Sequence, residues 1–377
     1  MTWRTQDLMS AKTKFLERAL EQKANISSLC LEFGISRNTA YKWIRRYKAE
    51  GLEGLLDHSK RPLTSPSRIS EEKISLILQA RKMSPWGGRK LREQLRRDGF
   101  EDLPSEATFN RILLRHGQIR EEESLKREHF IRFERPEANE LWQMDFKGHF
   151  KLCDEGRCHP LTILDDHSRF SICIKACASE NEQAVREGLK TAFRNYGLPE
   201  GMTMDNGAPW RGSQRHLSRL TVWLMRLGIK VSHSTPRHPQ TQGKLERFHR
   251  SLKEEVLKFH QFSSLQNAQV RFDEWREIYN NRRPHEGINL LYPKDRYKPS
   301  PRIYPEKLPK IEYPQGEELK KVGSAGTIYF RTKHYFIGQH LEGEHVAIRE
   351  LESEIYDVYF CKTKVQRLDL RRQKGPS

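Results

Sequence analysis

No stretch of about 18 consecutive apolar residues occurs in this sequence, so no membrane-spanning helix is expected. The first residues, Met1-Thr2-Trp3-Arg4-Thr5-Gln6-Asp7, form no apolar leader core, and a cytoplasmic protein is expected. Cysteine is sparse. Cys30, Cys153, Cys158, Cys173, Cys177 and Cys361 are scattered, as reduced thiols are, and outline no disulfide framework. Cys153, Cys158 and His159 would suggest a metal knuckle, but no second pair stands at zinc-site spacing. The plainer reading there is a hairpin turn at Asp154-Glu155-Gly156-Arg157. Internal repeats and long low-complexity segments are missing too. Acid is in deficit: 50 Asp and Glu stand against 68 Lys and Arg, a formal charge of +18 over 377 residues. That excess favours a polyanionic partner, nucleic acid ahead of an anionic membrane surface. The length allows two or three domains with real cores.

Residues 1–56 read as a helix-turn-helix domain of three helices. In the third, Ser36 is a suitable N-cap, and Ala40, Trp43, Ile44 and Tyr47 recur at helical spacing. The other face carries Arg37, Asn38, Lys42, Arg45 and Arg46, placed to enter a major groove. A plain three-helix bundle with a solvated basic face is the alternative. Residues 57–68 form a basic Pro/Ser linker in which Lys60 and Arg61 suit a phosphate backbone or minor groove, a simple spacer being the alternative. Residues 69–118 read as a second helix-turn-helix-like domain. Ser105 caps its last helix, with Phe109, Ile112 and Leu113 inward and Asn110, Arg111 and Arg115 outward, toward DNA. Residues 119–138 are a charged connector.

Strand signals begin at Leu141. The strand carrying Asp145 and the segments 160–164 and 170–174 predict an antiparallel meander, its last turn made by Asp165-Asp166-His167-Ser168-Arg169. A helix over 181–196, a strand delivering Asp205, a helix over 216–227 and a strand over 229–233 follow. A helix from about residue 265 is closed by Arg282-Arg283-Pro284-His285. Short strands separated by Gly-containing or charged turns within 317–377 suggest a small β-barrel.

Three acidic residues stand out. Asp145 and Asp205 sit at strand ends, and Glu246 sits at a helix start, where a carboxylate suits the helix dipole. A charge among Trp142, Met144 and Phe146 is costly unless a metal or an ion pair offsets it. Three convergent carboxylates are what a pair of hard divalent cations needs to drive in-line displacement at a phosphodiester.

Five motifs follow one another: Trp142-Gln143-Met144-Asp145, Leu164-Asp165-Asp166-His167-Ser168-Arg169-Phe170, Asp205-Asn206-Gly207, Gln242-Gly243-Lys244-Leu245-Glu246-Arg247 and Tyr279-Asn280-Asn281-Arg282-Arg283-Pro284-His285. In this order they make the chain resemble the integrase-core DDE transposases of bacterial insertion sequences, relatives of the retroviral integrases. The resemblance covers nearly the whole chain. The gap from Asp205 to Glu246 is a little wider than the retroviral-type pattern. The resemblance implies a multidomain architecture: all-α helix-turn-helix modules, an α/β ribonuclease H-like core over 139–300 and the C-terminal barrel, which contributes to DNA binding or assembly.

The resemblance also implies two Mg²⁺ ions, for which Mn²⁺ substitutes. Asp145 would bridge both, and Asp205 and Glu246 would each hold one. Matching retroviral positions hold DNA, which assigns phosphate contacts to Arg250 and Lys253, with Lys244, Arg247 and His249 as further candidates. The partners implied are double-stranded DNA, at element ends and target, and further copies of the chain, at least a dimer on DNA, with no membrane. The protein would be nucleoid-associated when bound. The expected activity is that of a DNA transposase. The alternatives are a catalytically silent DNA-binding regulator derived from one, and a nuclease of the ribonuclease H type.

Overall fold

The computed structural model describes residues 8–57, 69–119, 134–154, 156–205, 217–233 and 243–371, in two units divided at Arg68 and Ile69. The linker residues Lys60 and Arg61 lie outside the described residues, as does most of the connector.

In the first unit, α1 (Leu8–Ala19), α2 (Ile26–Glu32) and α3 (Arg37–Glu50) enclose Phe15, Leu16, Leu29, Cys30 and Ala40. The Ser36 hydroxyl accepts from the Thr39 amide, the capping expected of it. Gly34 makes the turn between α2 and α3 at φ +64°, a left-handed conformation that glycine adopts without strain.

The second unit opens with α4 (Glu71–Met83), α5 (Gly88–Arg97) and α6 (Glu106–Arg115), packed around Ile77, Leu91, Leu95, Phe109 and Leu113. Gly88 is required by close approach: a Cβ there would stand 2.5 Å from the Asn110 Oδ1 and 2.9 Å from the Phe109 Cβ.

The central sheet follows the order β2-β3-β1-β5-β6, with β4 also on β3. Its strands are β1 (Trp142–Phe146), β2 (Phe150–Lys151), β3 (Arg157–Asp165), β4 (Ser171–Cys177), β5 (Gly201–Met204) and β6 (Lys230–His233). β1, β3 and β4 pair antiparallel, as the meander required; β5 joins β1, and β6 joins β5, in parallel. The short β2 pairs antiparallel with β3, Phe150 level with Cys158 and Lys151 with Arg157.

Alternation along the strands sorts the side chains onto two faces. Trp142, Met144, Leu161 and Ile163 face α7 (Glu182–Tyr196) and α8 (Arg219–Arg226). Cys158, Leu164 and Ile174 face α9 (Gly243–Leu252) and α10 (Leu265–Asn281). A π-helical turn (Lys253–Leu257) follows α9, and α11 (Pro293–Arg296) follows α10. Arg97 of α5 docks the small helical domain on this segment: its guanidinium lies 2.6 Å from Asp295 and 4.0 Å over the Tyr292 ring.

The C-terminal strands depart from the expected barrel. β7 (Glu318–Lys321), β10 (His345–Glu352), β11 (Ile355–Phe360) and β12 (Thr363–Asp369) form an open antiparallel sheet in the order β12-β11-β10-β7. β8 (Thr327–Phe330) and β9 (Lys333–Phe336) form a separate hairpin. Val222 and Met225 of α8 join Ile328, Phe330, Val346 and Val358 in one apolar cluster. The helix thus covers apolar surface that a closed barrel would enclose within itself. Among the described residues no helix is long and apolar enough to cross a membrane.

Candidate active site

Parallel pairing brings two of the three carboxylates together. Trp142 is level with Met202 and Gln143 with Thr203. Continued two residues further, that register sets Asp145 beside Asp205, at the C-terminal ends of adjacent parallel strands. Burial is the main force pushing the Asp145 carboxyl up to about 7, and the Asp205 and Glu180 carboxylates add to it. The Phe146 amide and Lys147 oppose the shift. Asp205 is exposed, and its backbone carbonyl accepts from the His233 Nδ1 at 3.1 Å.

Glu246 comes from the other direction. Leu245, Phe248 and Leu252 bury one side of α9 against the sheet, and Glu246, in the first turn, stays exposed. α9 packs on β1, on the face toward which alternation points Gln143 and Asp145. Among the described residues no three His, Cys, Asp or Glu side chains are gathered closely enough to hold a metal ion. Asn206, Gly207 and Gln242, from the motifs around the second and third carboxylates, lie outside the described residues.

Two basic side chains expected at DNA turn inward. The Lys244 Nζ lies 2.6 Å from the Asp166 carboxylate, which is wholly buried, and Lys244 itself is only 12% exposed. Burial, with Arg169 nearby, pulls the Lys244 ammonium down to about 8. The phosphate contact expected of Lys244 is therefore replaced by a buried ion pair. His249, one turn after Glu246, places its Nε2 2.7 Å from the Thr162 hydroxyl. That hydroxyl lies 2.9 Å from the Asp145 carbonyl oxygen and donates to it. Its single hydrogen is thereby used, so the His249 Nε2 carries the proton and donates. Burial keeps this imidazole neutral, with its pKa near 3.

The Asp165-Asp166 turn is structural, as expected. Asp165 accepts from the Asn139 and Ser168 amides and the Ser168 hydroxyl. Asp166 accepts from the Gln143 side chain at 2.7 Å and the Arg135 amide at 2.8 Å. Arg283 is buried and grips Glu255 of the π turn at 2.7 Å. In contrast, Arg250 and Lys253 are exposed, as phosphate contacts must be.

In the helical modules, Arg37, Asn38, Lys42 and Arg45 are exposed on α3, while Arg46 lies partly covered, 5.4 Å over the Trp43 ring. Tyr41, 52% exposed in the same stripe, was not foreseen, although its spacing of four from Arg37 marks it. On α6, Arg111 is exposed. Asn110, expected to point outward, accepts from the Gly88 amide at 3.2 Å and is spent on the start of α5. Thr162 and Glu180 also escaped the sequence reading. The register of β3 on β1, which pairs Thr162 with Asp145, is the signal for the first. Glu180, held by His159 at 2.9 Å, carries no local signal.

Integrase core domain families match residues 135–239 and 227–293. A helix-turn-helix domain family matches residues 11–62 and a homeodomain-like domain family residues 39–113. The C-terminal domain of the IS481 family transposases matches residues 317–376. An uncharacterized 31.7 kDa protein of insertion element IS407 from Burkholderia multivorans is 27% identical over 157 residues, 42% of this chain and 54% of the relative. An uncharacterized 39.2 kDa protein of insertion element IS476 from Xanthomonas euvesicatoria is 28% identical over 155 residues, 41% of this chain and 43% of the relative. The chain thus spans about half the length of the curated relatives it matches. Among solved structures, the HTLV-2 integrase catalytic core domain in complex with magnesium overlaps 43% of this chain and 99% of its own, at 16% identity and a TM-score of 0.34. The simian T-cell lymphotropic virus intasome in complex with a PP2A regulatory subunit overlaps 76% and 96%, at 15% identity and a TM-score of 0.38.

Proposed function

We propose that this chain, whose segments match integrase core domain and IS481 family transposase C-terminal domain families, is an insertion-sequence transposase that cuts DNA at the ends of a mobile element and joins the freed 3′-hydroxyl to target DNA. The observation that carries this reading is the parallel register of β1 on β5, which continued two residues sets Asp145 level with Asp205, with the helix of Glu246 packed on β1. The donor set is wholly carboxylate oxygen, which suits a hard divalent cation. A desolvated Asp145 beside a second carboxylate is destabilised in a way that such a cation relieves.

Asp145, Asp205 and Glu246 would hold magnesium, for which manganese substitutes. When bound, the metal supplies activation of an oxygen nucleophile and neutralises charge at the phosphoryl group and the departing oxygen. Arg250 and Lys253, exposed on and just after α9, hold phosphates near the scissile bond. In the first step a water oxygen bonds to phosphorus and the bond to the 3′-oxygen breaks, leaving a 3′-hydroxyl at the element end. In the second, that 3′-oxygen bonds to a target phosphorus and displaces the target's own 3′-oxygen. Neither step needs a covalent bond between protein and DNA. The exposed stripe of α3 reads the terminal repeat from the major groove, and α6 adds a second contact through Arg111. Pairing two ends requires at least two copies of the chain on DNA.

The test is strand transfer. Purified protein is mixed with Mg²⁺, a labelled duplex of the native element end and a supercoiled target, beside Asp205→Asn. Joined product that disappears in the variant is expected. Joining that survives Asp145→Asn, Asp205→Asn or Glu246→Gln would refute the assignment. Tight end-binding by wild type without cleavage or joining would point instead to a DNA-binding regulator.

A further inference from the structure

We propose that His249 and Thr162, together with Lys244 and Asp166, are positioning residues that set the helix of Glu246 in register with the strand of Asp145. The proposal rests on the reading of Asp145, Asp205 and Glu246 as the metal-holding set. Its basis is a pair of polar ties from α9, both ending on β1. The first runs from Lys244 to the Asp166 carboxylate at 2.6 Å, and from there to the Gln143 side chain at 2.7 Å. The second runs from His249 to the Thr162 hydroxyl at 2.7 Å, and from there to the Asp145 carbonyl at 2.9 Å. Glu246 stands between the two origins on α9, and the two ends on β1 are Asp145 itself and the residue two before it.

The spacings match. Lys244 and His249 are five residues apart on a helix, a rise of about 7.5 Å. Gln143 and Asp145 are two apart on a strand, a rise of about 6.7 Å. Five residues also turn a helix by about 140°, so the ties leave α9 from the two flanks of its apolar stripe and reach β1 in the same order as they leave α9. The apolar contacts cannot do this work alone. Leu245, Phe248 and Leu252 press α9 onto the sheet, but apolar attraction has no direction and tolerates sliding and rotation. Hydrogen bonds at fixed lengths do not. Glu246 also lies in the first turn of its helix, where backbone amides lack helical partners and fraying begins. A metal ligand in that place needs anchoring on both sides, before and after it.

Metal binding itself tests this, without DNA or turnover. Metal-depleted full-length protein is titrated with Mn²⁺, and free ion is followed by electron paramagnetic resonance. Thr162→Val keeps the shape of the side chain and removes the hydroxyl; it is expected to weaken Mn²⁺ binding about tenfold, as loss of a partner behind a metal ligand does, with little change in melting temperature. Thr162→Ser restores the hydroxyl and is expected to bind within about threefold of wild type. His249→Ala breaks the same tie from the helix side and decides the matter should Thr162→Val fold poorly. Wild-type affinity in whichever of these two variants folds, with binding lost in Asp145→Asn, would overturn the positioning role alone. Unchanged affinity in Asp145→Asn would overturn the metal site on which the proposal stands.

Discussion

Helices α3 and α9 are both short and rich in basic residues, and they use that charge in opposite ways. On α3, Arg37, Asn38, Lys42 and Arg45 all face solvent. On α9 the basic residues divide: Arg250 faces solvent, while Lys244 and His249 turn inward to Asp166 and Thr162. The difference lies in what each helix packs against. α3 packs on the apolar side chains of a small three-helix core, so most of its cations go outward, with Arg46 partly covered over Trp43. α9 lies on a sheet whose loops and strands offer a buried carboxylate and a hydroxyl, so a cation there has somewhere to go. Basic residues on a helix are therefore not all available to a polyanion, and the partner across the fold decides which are.

Lys244 gives the largest separation between the two uses. As a phosphate contact, its loss would weaken DNA binding and leave the fold alone. As the partner of a wholly buried Asp166, its loss strands a charge, and Lys244→Ala is expected to cost roughly 3 kcal/mol of stability or more. Arg250→Ala, on the same helix and exposed, is expected to leave stability within about 0.5 kcal/mol and to weaken DNA binding instead. Chemical denaturation of both variants measures the contrast, and equal midpoints would erase it.

The next effect is one of pH, at the carboxylate that faces α9. The Asp145 carboxyl sits near 7 in the folded chain against 3.8 as the ordinary value. Between those values the folded state holds a proton that the unfolded state has lost, so stability declines as pH rises from about 4 through 7. Asp145→Asn removes that decline. In metal-free buffer the variant is expected to exceed wild type by roughly 1–3 kcal/mol at pH 8, with the gap closing near pH 4. Added Mg²⁺ is expected to raise the melting temperature of wild type more than that of the variant. Melting curves that run parallel from pH 4 to 8 would contradict the desolvation of Asp145.

How much of this could be read from residues alone depended on the range of the interaction. Local features were legible. The caps at Ser36 and Ser105, the turn after Gly34, the Asp165-Asp166 turn and the meander all follow from neighbours in sequence, and the structure has them. Asp145 and Asp205 stood out because each lies at or next to the end of a strand, and the parallel register, continued two residues, sets them level. What escaped was non-local. Nothing near Lys244 announces Asp166, 78 residues earlier; nothing near His249 announces Thr162, 87 residues earlier. Asn110 read as outward on helical spacing, yet a neighbouring helix that starts with glycine comes close enough to claim it. Six short strands do not say whether their sheet closes, and here a helix of the core covers part of the apolar face that closure would have hidden.

The smallest effect separates the two helical modules. α3 presents Arg37, Lys42 and Arg45 with Tyr41 among them, whereas α6 has lost Asn110 to α5 and presents Arg111 with Glu106 in its first turn. A cation that contacts a phosphate lowers the salt dependence of binding by about one counterion when it is removed. Arg45→Ala is expected to weaken binding to the terminal repeat about tenfold and to reduce the slope of log affinity against log salt by about one. Arg111→Ala is expected to show the same signs at about a third of that loss, because the acidic first turn of α6 already lowers the local positive potential. Binding measured on one repeat duplex from about 50 to 200 mM salt gives both slopes. A larger loss from Arg111→Ala would make α6 the principal reader and leave the exposed basic stripe of α3 as a solvated face.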